Sequence, residues 1–237
     1  MARCDLALPA VVVLAALLSS ASARATCAPV SALGAADPRL GALDPELRLR
    51  FIDAELARGA SRAHYWTWGW GIALGLGTVA NLAPIPFVAA GDRVDWYTGA
   101  ATTAVGIVPL LIAPLDVIAD SRELRGRLDA RAGVEVCALL GDAETRLARD
   151  AKNQADGQRW WLHAGNVVLN AGVGLFLIVG FHHWGAGLWN AASGAVIGEV
   201  IILTQPTGAE DSLRRYRDAS LEGGAAPPTS MSFAATF

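Results

Sequence analysis

The sequence predicts an all-α integral membrane protein, a four-helix bundle built from two tandem helical hairpins with helical extensions outside the membrane. Three observations lead to this fold class. Hydrophobic residues make up 53% of the 237 and charged residues only 17%. Mean hydropathy is +0.37, well above the level of an average soluble protein. The charges are also unevenly distributed, since the ranges 66–119 and 160–206 contain very few of them.

Residues 1–25 are predicted to be a signal peptide. An apolar run at 6–18 follows Arg3 and precedes the small-residue segment SSASARA. The run is too short to cross a hydrocarbon core of about 30 Å, and small residues are typical of a cleavage site, here after Ala23 or Ala25. The alternative is that the segment is retained as a fifth helix.

Residues 26–65 are predicted to form a polar N-terminal arm and helix. Asp44 followed by Pro45 is a helix start signal, because aspartate caps the first turn and proline fits its first position. No proline interrupts the chain from there to Trp66. We therefore expect one long helix that projects from the membrane and then enters it.

The first transmembrane hairpin is assigned to 66–119. Its two spans are 66–90 and 96–118, and the short polar turn GDRVD between them fits only an antiparallel connection. About 25 residues at a rise of about 1.5 Å per residue are enough to cross the bilayer. Pro109 and Pro114 are expected to kink the second span.

A polar helical cap is predicted for 120–159, which contains eight acidic and eight basic residues. The segment DSRELRGRLDAR is expected to be a short helix ending before Gly133. Asp142 is expected to cap a second long helix that continues into Trp161. A segment of this size cannot bury a hydrophobic core of its own.

The second transmembrane hairpin is assigned to 160–206, with spans at 160–181 and 189–203 joined through HHWGAG. It resembles a copy of the first hairpin, because Trp66, Trp96 and Pro114 recur after 92 to 95 positions. We expect a duplication with both copies in the same orientation. Chance similarity between two Gly- and Ala-rich segments is the alternative. Residues 207–237 are expected to be a short helix followed by a disordered tail.

All tryptophans lie at the ends of the predicted spans, where indole rings prefer the headgroup layer. The expected interface anchors are Trp66, Trp68, Trp70, Trp96, Trp160, Trp161, Trp184 and Trp189. Two glycine pairs, Gly71 with Gly75 and Gly194 with Gly198, have the spacing that allows close approach of helices in lipid.

Glu199 is the one carboxylate expected in the middle of a span. Counting from the turn places Asn170 at the same depth, with Asn166 one turn farther out and His163 beyond it. Such an acid normally faces the bundle and finds a hydrogen-bond donor. The four residues are therefore a possible intramembrane polar site, either a clamp between two helices or a proton relay or small polar pocket.

Cys27 and Cys137 are a possible disulfide. A cleaved leader places Cys27 outside the cytoplasm, and an even number of crossings places Cys137 on the same side, where two cysteines tend to pair. The positive-inside rule opposes this orientation, because 16 Lys and Arg residues lie in the three polar segments and only Arg93 lies in the turns. The inverted orientation is therefore the alternative.

The function classes that the sequence disfavours are clearer than the function itself. A net charge of −3 gives no support for nucleic-acid binding, and no nucleotide, cofactor or hydrolase motif occurs. No metal site is expected, since His182 and His183 lack a third ligand nearby. We expect a non-catalytic scaffold or assembly subunit, not an enzyme, in the bacterial inner membrane, with its polar segments periplasmic. Its partners would be the lipid bilayer and, through the glycine faces, itself or other membrane proteins. A small transporter or channel subunit that uses Glu199 is the alternative.

Overall fold

The computed structural model describes residues 26–112, 115–130 and 135–221, and within them every regular element is helical. Seven α-helices follow one another in these ranges: α1 Pro45–Leu82, α2 Arg93–Ile112, α3 Asp116–Asp129, α4 Val136–Asp156, α5 Trp160–Phe181, α6 Trp184–Leu203 and α7 Gly208–Arg217. The all-α prediction is confirmed for the described part of the chain. The predicted signal peptide, Gly133, Pro114 and the tail beyond 221 lie outside the described residues.

Helix α1 begins where the sequence predicts. The Asp44 carboxylate accepts a hydrogen bond from the backbone N–H of Glu46 at 2.9 Å, and Pro45 occupies the first turn. The helix then continues for 38 residues from a charged stretch into the apolar, tryptophan-rich one. At about 1.5 Å per residue it is about 57 Å long, which exceeds the thickness of a bilayer.

The expected second long helix is divided in two. Helix α4 begins six residues before Asp142, with Glu135 as its cap, and ends at Asp156 before α5 starts at Trp160. Asp142 is an interior residue that accepts a hydrogen bond from Arg146 at 2.8 Å, so the predicted cap is wrong. Gly157 is the C-cap of α4, where its backbone N–H donates to the carbonyl of Asn153 at 2.9 Å, and glycine is a poor helix former.

The second apolar span is also shorter than expected. Helix α2 ends at Ile112, and Val117 belongs to α3, where it is buried against Gly59. The predicted extension to Ile118 is therefore wrong, because these side chains pack in a core instead of continuing the apolar helix. Pro109 lies inside α2, as expected.

The three polar segments fold together around one hydrophobic core. This polar domain comprises the arm, the first half of α1, and α3, α4 and α7, and its core joins residues from before, between and after the apolar helices. The buried apolar residues are Cys27, Leu33, Leu40, Leu49, Phe51, Ile52, Leu56, Ala63, Val117, Leu124, Leu139, Leu140, Ala143, Leu147, Ala151, Ala209, Leu213 and Tyr216. Residues 120–159 thus bury a core only by sharing it with the other two segments.

Four helical segments are long and apolar enough to cross a membrane. Only 6–11% of the residues in their most apolar stretches are buried within the protein, and many large apolar side chains there are exposed. Helix α1 packs along α2, and α5 packs along α6, while α2 makes smaller contacts with α5 and α6. The apolar part therefore consists of two tightly packed helix pairs with limited contact between them.

Candidate functional site

Glu199 lies at the centre of a polar cluster between α5 and α6. Its Oε2 is 2.5 Å from Nδ1 of His163, and its Oε1 accepts a hydrogen bond from the Asn166 amide at 2.9 Å. The same amide nitrogen also donates to the carbonyl of Ala195 at 2.9 Å. Both carboxylate oxygens are therefore occupied by residues of the facing helix.

Asn170 joins this cluster indirectly. Its amide donates to the backbone carbonyl and to Oδ1 of Asn166, each at 2.9 Å, and its own Oδ1 lies against Gly194. The expectation that Asn170 and Glu199 share a depth is wrong by about one helical turn. The register is set by glycines, because a Cβ on Gly194 or Gly198 would lie 2.0 Å from the Oδ1 of the asparagine opposite it.

The closest approach of α5 and α6 is at Gly174 and Gly187. A Cβ on either glycine would lie 2.7 Å from the backbone oxygen of the other. Of the two glycine pairs singled out in the sequence, Gly194 and Gly198 lie in this contact, whereas Gly71 and Gly75 have open space beside them. The close contacts between α1 and α2 involve other residues. Gly106 meets Leu74, Gly77 meets Thr103, and Gly99 meets Asn81.

The polar cluster forms a column, from His163 to Asn170, that is shorter than α5. From His163 to Asn170 it covers eight positions of α5, a rise of about 10 Å, and from 171 to the end of α5 the helix is entirely apolar. The side chains of Asn190 and Ser193 on α6 donate to carbonyls of their own helix. The side chains of His163 and Glu199 are 31% and 30% exposed. The arrangement can hold two helices together, but it reaches only part of the way along them.

The tryptophans occupy both ends of the apolar helices. Trp66 and Trp70 donate through Nε1 to Oγ1 of Thr204, at 3.2 and 3.1 Å, and so connect α1 to the end of α6. The indoles of Trp68, Trp160, Trp161, Trp184 and Trp189 are exposed, and Trp96 is half-buried. The Trp66 and Trp70 contacts add a role between helices that their position in the sequence does not reveal.

The two turns at the far end of the apolar helices are also connected. Nδ1 of His183 lies 2.7 Å from Oδ1 of Asp95, and both side chains are largely buried. The sequence places His183 in the turn but does not reveal its pairing with Asp95, which lies 88 positions away. Among the described residues no group of three or more His, Cys, Asp or Glu side chains could hold a metal ion.

Cys27 and Cys137 are paired, with their sulfur atoms at disulfide bonding distance. The bond joins the N-terminal arm to the first turn of α4, as the sequence predicts. It lies beside a buried polar network in the polar domain. Arg48 donates to the carbonyl of Cys27 at 2.6 Å and to the hydroxyl of Tyr216 at 2.9 Å, and it forms an ion pair with Glu144.

Glu144 completes this network. It accepts a hydrogen bond from the Tyr216 hydroxyl at 2.5 Å and from the backbone N–H of Val30 at 2.9 Å. The arm, α1, α4 and α7 therefore meet at one fully buried carboxylate. Sequence reasoning missed the network, and the only available signal was that Arg48 lies one turn before Ile52 on the apolar face of α1.

Asp150 is a second buried carboxylate, on α4, and it has no hydrogen-bond donor among the described residues. Burial and the neighbouring carboxylate of Asp120 raise its pKa to about 8. Asp120 itself binds Arg146 at 2.7 Å and also pairs with Arg149. The domain thus contains one carboxyl group that stays protonated at neutral pH.

A cavity of about 340 Å³ opens between α1 and α7. Arg58, Arg62, Arg214 and Arg215 line it together with two acids, Glu55 and Asp211.

Comparison of the chain with protein-family models, with curated proteins and with solved structures found no match.

Proposed function

We propose that this chain is an integral protein of the bacterial inner membrane that acts as a non-catalytic scaffold or assembly subunit. The observation that carries the proposal is the contrast between its two parts. The polar domain is closed around a core and a disulfide, whereas only 6–11% of the residues in the most apolar stretches of the helices are buried, and many large apolar side chains there are exposed. Exposed apolar surface of this extent requires lipid or neighbouring helices to cover it.

The location of the polar domain supports two antiparallel transmembrane pairs. A single folded core has to lie on one side of a membrane, and this core takes residues from before, between and after the helix pairs. Each pair therefore has to return to the side from which it entered. The disulfide favours the periplasmic side, because disulfides persist in oxidising compartments.

A repeated contact supports the proposed duplication. Leu74 on α1 faces Gly106 on α2, and Asn166 on α5 faces Gly198 on α6. Both members of the second contact lie 92 positions after those of the first. At this level the first pair has leucine where the second has asparagine, and the polar contact of the first pair lies at Thr78 and Thr103, whose hydroxyl oxygens are 2.9 Å apart.

The Glu199 cluster is assigned to helix pairing. Both oxygens of Glu199 are bound, and the polar column ends at Asn170. A proton pathway requires groups along the whole span, and from 171 onward α5 provides none. The partial exposure of Glu199 favours the alternative of proton or solute handling, so the two functions are compared directly by experiment.

The variants Glu199→Gln and Glu199→Leu separate the two functions. Glutamine keeps hydrogen bonds to His163 and Asn166, whereas leucine removes them, so a clamp predicts that thermal stability in detergent is kept by the first variant and lowered by the second. A relay predicts that both variants abolish proton flux in proteoliposomes. Wild-type flux that both variants abolish would overturn the scaffold proposal. The control is Ser193→Leu, because this half-buried residue on α6 bonds to a carbonyl of its own helix.

Sidedness and assembly have separate tests. We expect an alkaline phosphatase fusion after 221 to be active and a green fluorescent protein fusion there to be dark. The opposite pattern would place the polar domain in the cytoplasm.

In native membranes we expect the chain to migrate in an assembly much larger than its own 24.7 kDa. A monomer under gentle extraction would contradict a scaffold function.

A further inference from the structure

The cavity between α1 and α7 has an excess of positive charge. Four arginines and two acids line it, and the floor is apolar, formed by Leu56, Val117 and Leu147. Its volume of about 340 Å³ falls in the range of small-molecule pockets. An open site with an excess of two guanidinium groups favours an anion, since guanidinium binds phosphate and carboxylate oxygens with two parallel hydrogen bonds.

Glu55 holds two of the arginines in place, and the cavity keeps its excess of positive charge. Its buried carboxylate accepts from Arg58 at 2.6 Å, from Arg215 at 2.7 Å and from the hydroxyl of Ser212 at 2.8 Å. The two arginines come from opposite walls of the cavity, so one acid holds two guanidinium groups at its edge. Asp211 pairs with Arg214 at the surface.

Arg62 provides the charge available for a ligand. It is exposed and forms no ion pair with another described residue, and its guanidinium lies 3.1 Å from where a Cβ of Gly208 would be. Gly208 begins α7, whose preceding residue, Thr207, gives no side-chain cap. The first turn of α7 adds little positive charge to this space, because it contains Glu210 and Asp211 and the backbone N–H of Ala209 donates to Gln154 at 2.9 Å.

The position of the cavity relative to the tryptophans indicates the source of the anion. Arg62 lies one helical turn before Trp66, which binds Thr204, and Gly208 follows Thr204 by four residues. The cavity is therefore next to the tryptophan layer on the side of the polar domain. If the apolar helices are inserted as proposed above, this is the level of the lipid phosphates.

We propose that the cavity binds the phosphate group of an anionic lipid through Arg62, assisted by Arg58, Arg214 and Arg215. This assignment rests on the proposed membrane insertion. The chemistry recognised is a phosphate ester beside a small polar headgroup. A soluble phosphate ester has the same chemistry, so the experiment uses both sources.

Purified full-length protein is titrated in neutral detergent with phosphatidylglycerol, phosphatidylcholine or glycerol 3-phosphate, and bound ligand is counted by native mass spectrometry. We expect phosphatidylglycerol to bind at least ten-fold more tightly than phosphatidylcholine. The double variant Arg62→Gln/Arg214→Gln should weaken this binding at least five-fold. The matched control is Arg125→Gln, an exposed arginine on α3 outside the cavity. Binding should also weaken as salt is raised.

Equal loss in the variant and the control, or equal binding of the two lipids, would overturn the proposal. Binding of glycerol 3-phosphate alone, still sensitive to Arg62→Gln/Arg214→Gln, would support the anion site and exclude the lipid as its source. Failure of insertion is recognised separately, because a wild-type chain that stays monodisperse without detergent would refute the membrane location whatever the titration shows.

Discussion

Arg48 and Glu144, which lie 96 positions apart in the chain, form an ion pair in which both side chains are fully buried. The pair is fully bonded, because Arg48 also binds Cys27 and Tyr216, and Glu144 also binds Val30. A buried charge is tolerated only when its partners are all present. The network therefore requires the arm, α1, α4 and α7 to be assembled together.

Replacing Arg48 by methionine should strongly destabilise the polar domain. The change leaves Glu144 buried with no cation, which costs about 3 to 5 kcal/mol of unfolding free energy. Denaturant unfolding in detergent, followed by near-ultraviolet circular dichroism, measures the loss. Arg50→Met is the control, because Arg50 is exposed one turn from Glu46 on the same helix. Equal losses in the two variants would contradict the assigned role of the network.

The double variant Arg48→Met/Glu144→Leu should recover part of this stability. Removing both charges also removes the uncompensated buried carboxylate, so the cost of the two changes is less than additive. The same unfolding measurement yields the coupling energy. Additive losses would show that the pair contributes nothing beyond its separate contacts.

Asp150 should make the polar domain less stable as pH rises. Its folded pKa of about 8 exceeds the usual 3.8, because burial and Asp120 disfavour the charged form. Between these values the unfolded chain has released the proton that the folded chain keeps, so the unfolding free energy falls by up to about 1.4 kcal/mol per pH unit from pH 4 to pH 8. Above pH 8 this contribution to the slope vanishes.

The variant Asp150→Asn should remove this slope. Its stability relative to wild type should grow steadily between pH 5 and pH 8, measured by denaturant unfolding at each pH. Exposed Asp129→Asn, on α3, is the control and should track the wild type. Parallel curves for Asp150→Asn and wild type would show that the carboxyl group is not protonated in the folded domain.

Reduction of the Cys27–Cys137 bond should destabilise the polar domain. The bond closes a loop of 110 positions, and the chain-entropy model assigns about 4 to 5 kcal/mol to such a loop. Thermal unfolding with and without a thiol reductant measures the effect. The double variant Cys27→Ser/Cys137→Ser should match the reduced wild type and not respond to reductant. A response in that variant would show that the reductant acts elsewhere.

Gly174→Leu should separate α5 from α6. The added side chain would meet the backbone oxygen of Gly187 and the Cβ of Ala191, each 2.7 Å from the first new carbon, and overpacking of this kind costs about 1 to 3 kcal/mol. Thermal unfolding in detergent reports the loss. Gly172→Leu is a close control, since this glycine on the same helix has open space beside it. An equal loss in both variants would refute the contact.

The sequence predicts local features, such as helix starts and apolar segments, and one long-range pair of cysteines. The cap at Asp44, the apolar helices and the pairing of Cys27 with Cys137 all follow from composition, spacing and parity. The packing of Gln205 against Gly157 does not, because these residues lie 48 positions apart in the chain. The depth of Asn170 relative to Glu199 also depends on which glycines of α6 meet α5.

The shared core of the polar domain is the largest feature that the sequence alone does not predict. Each polar segment taken alone is too short to fold, so hydropathy patterns indicate only solvated helices. Val117, Leu147 and Tyr216 belong to three separate segments, and only their contact in the folded chain shows one core. For the same reason the sequence does not distinguish Arg48 and Asp150 from ordinary surface charges.

Helix α1 also has a mechanical consequence. It is unbroken from its cap at Asp44 to Leu82, whereas α4 and α5 are separated by the irregular residues 157–159. The first connection is a stiff rod that transmits torque, and the second is a joint that absorbs it. A push on the polar domain would therefore tilt the first helix pair as a lever, and the bonds of Trp66 and Trp70 to Thr204 would pass part of that tilt to the end of α6.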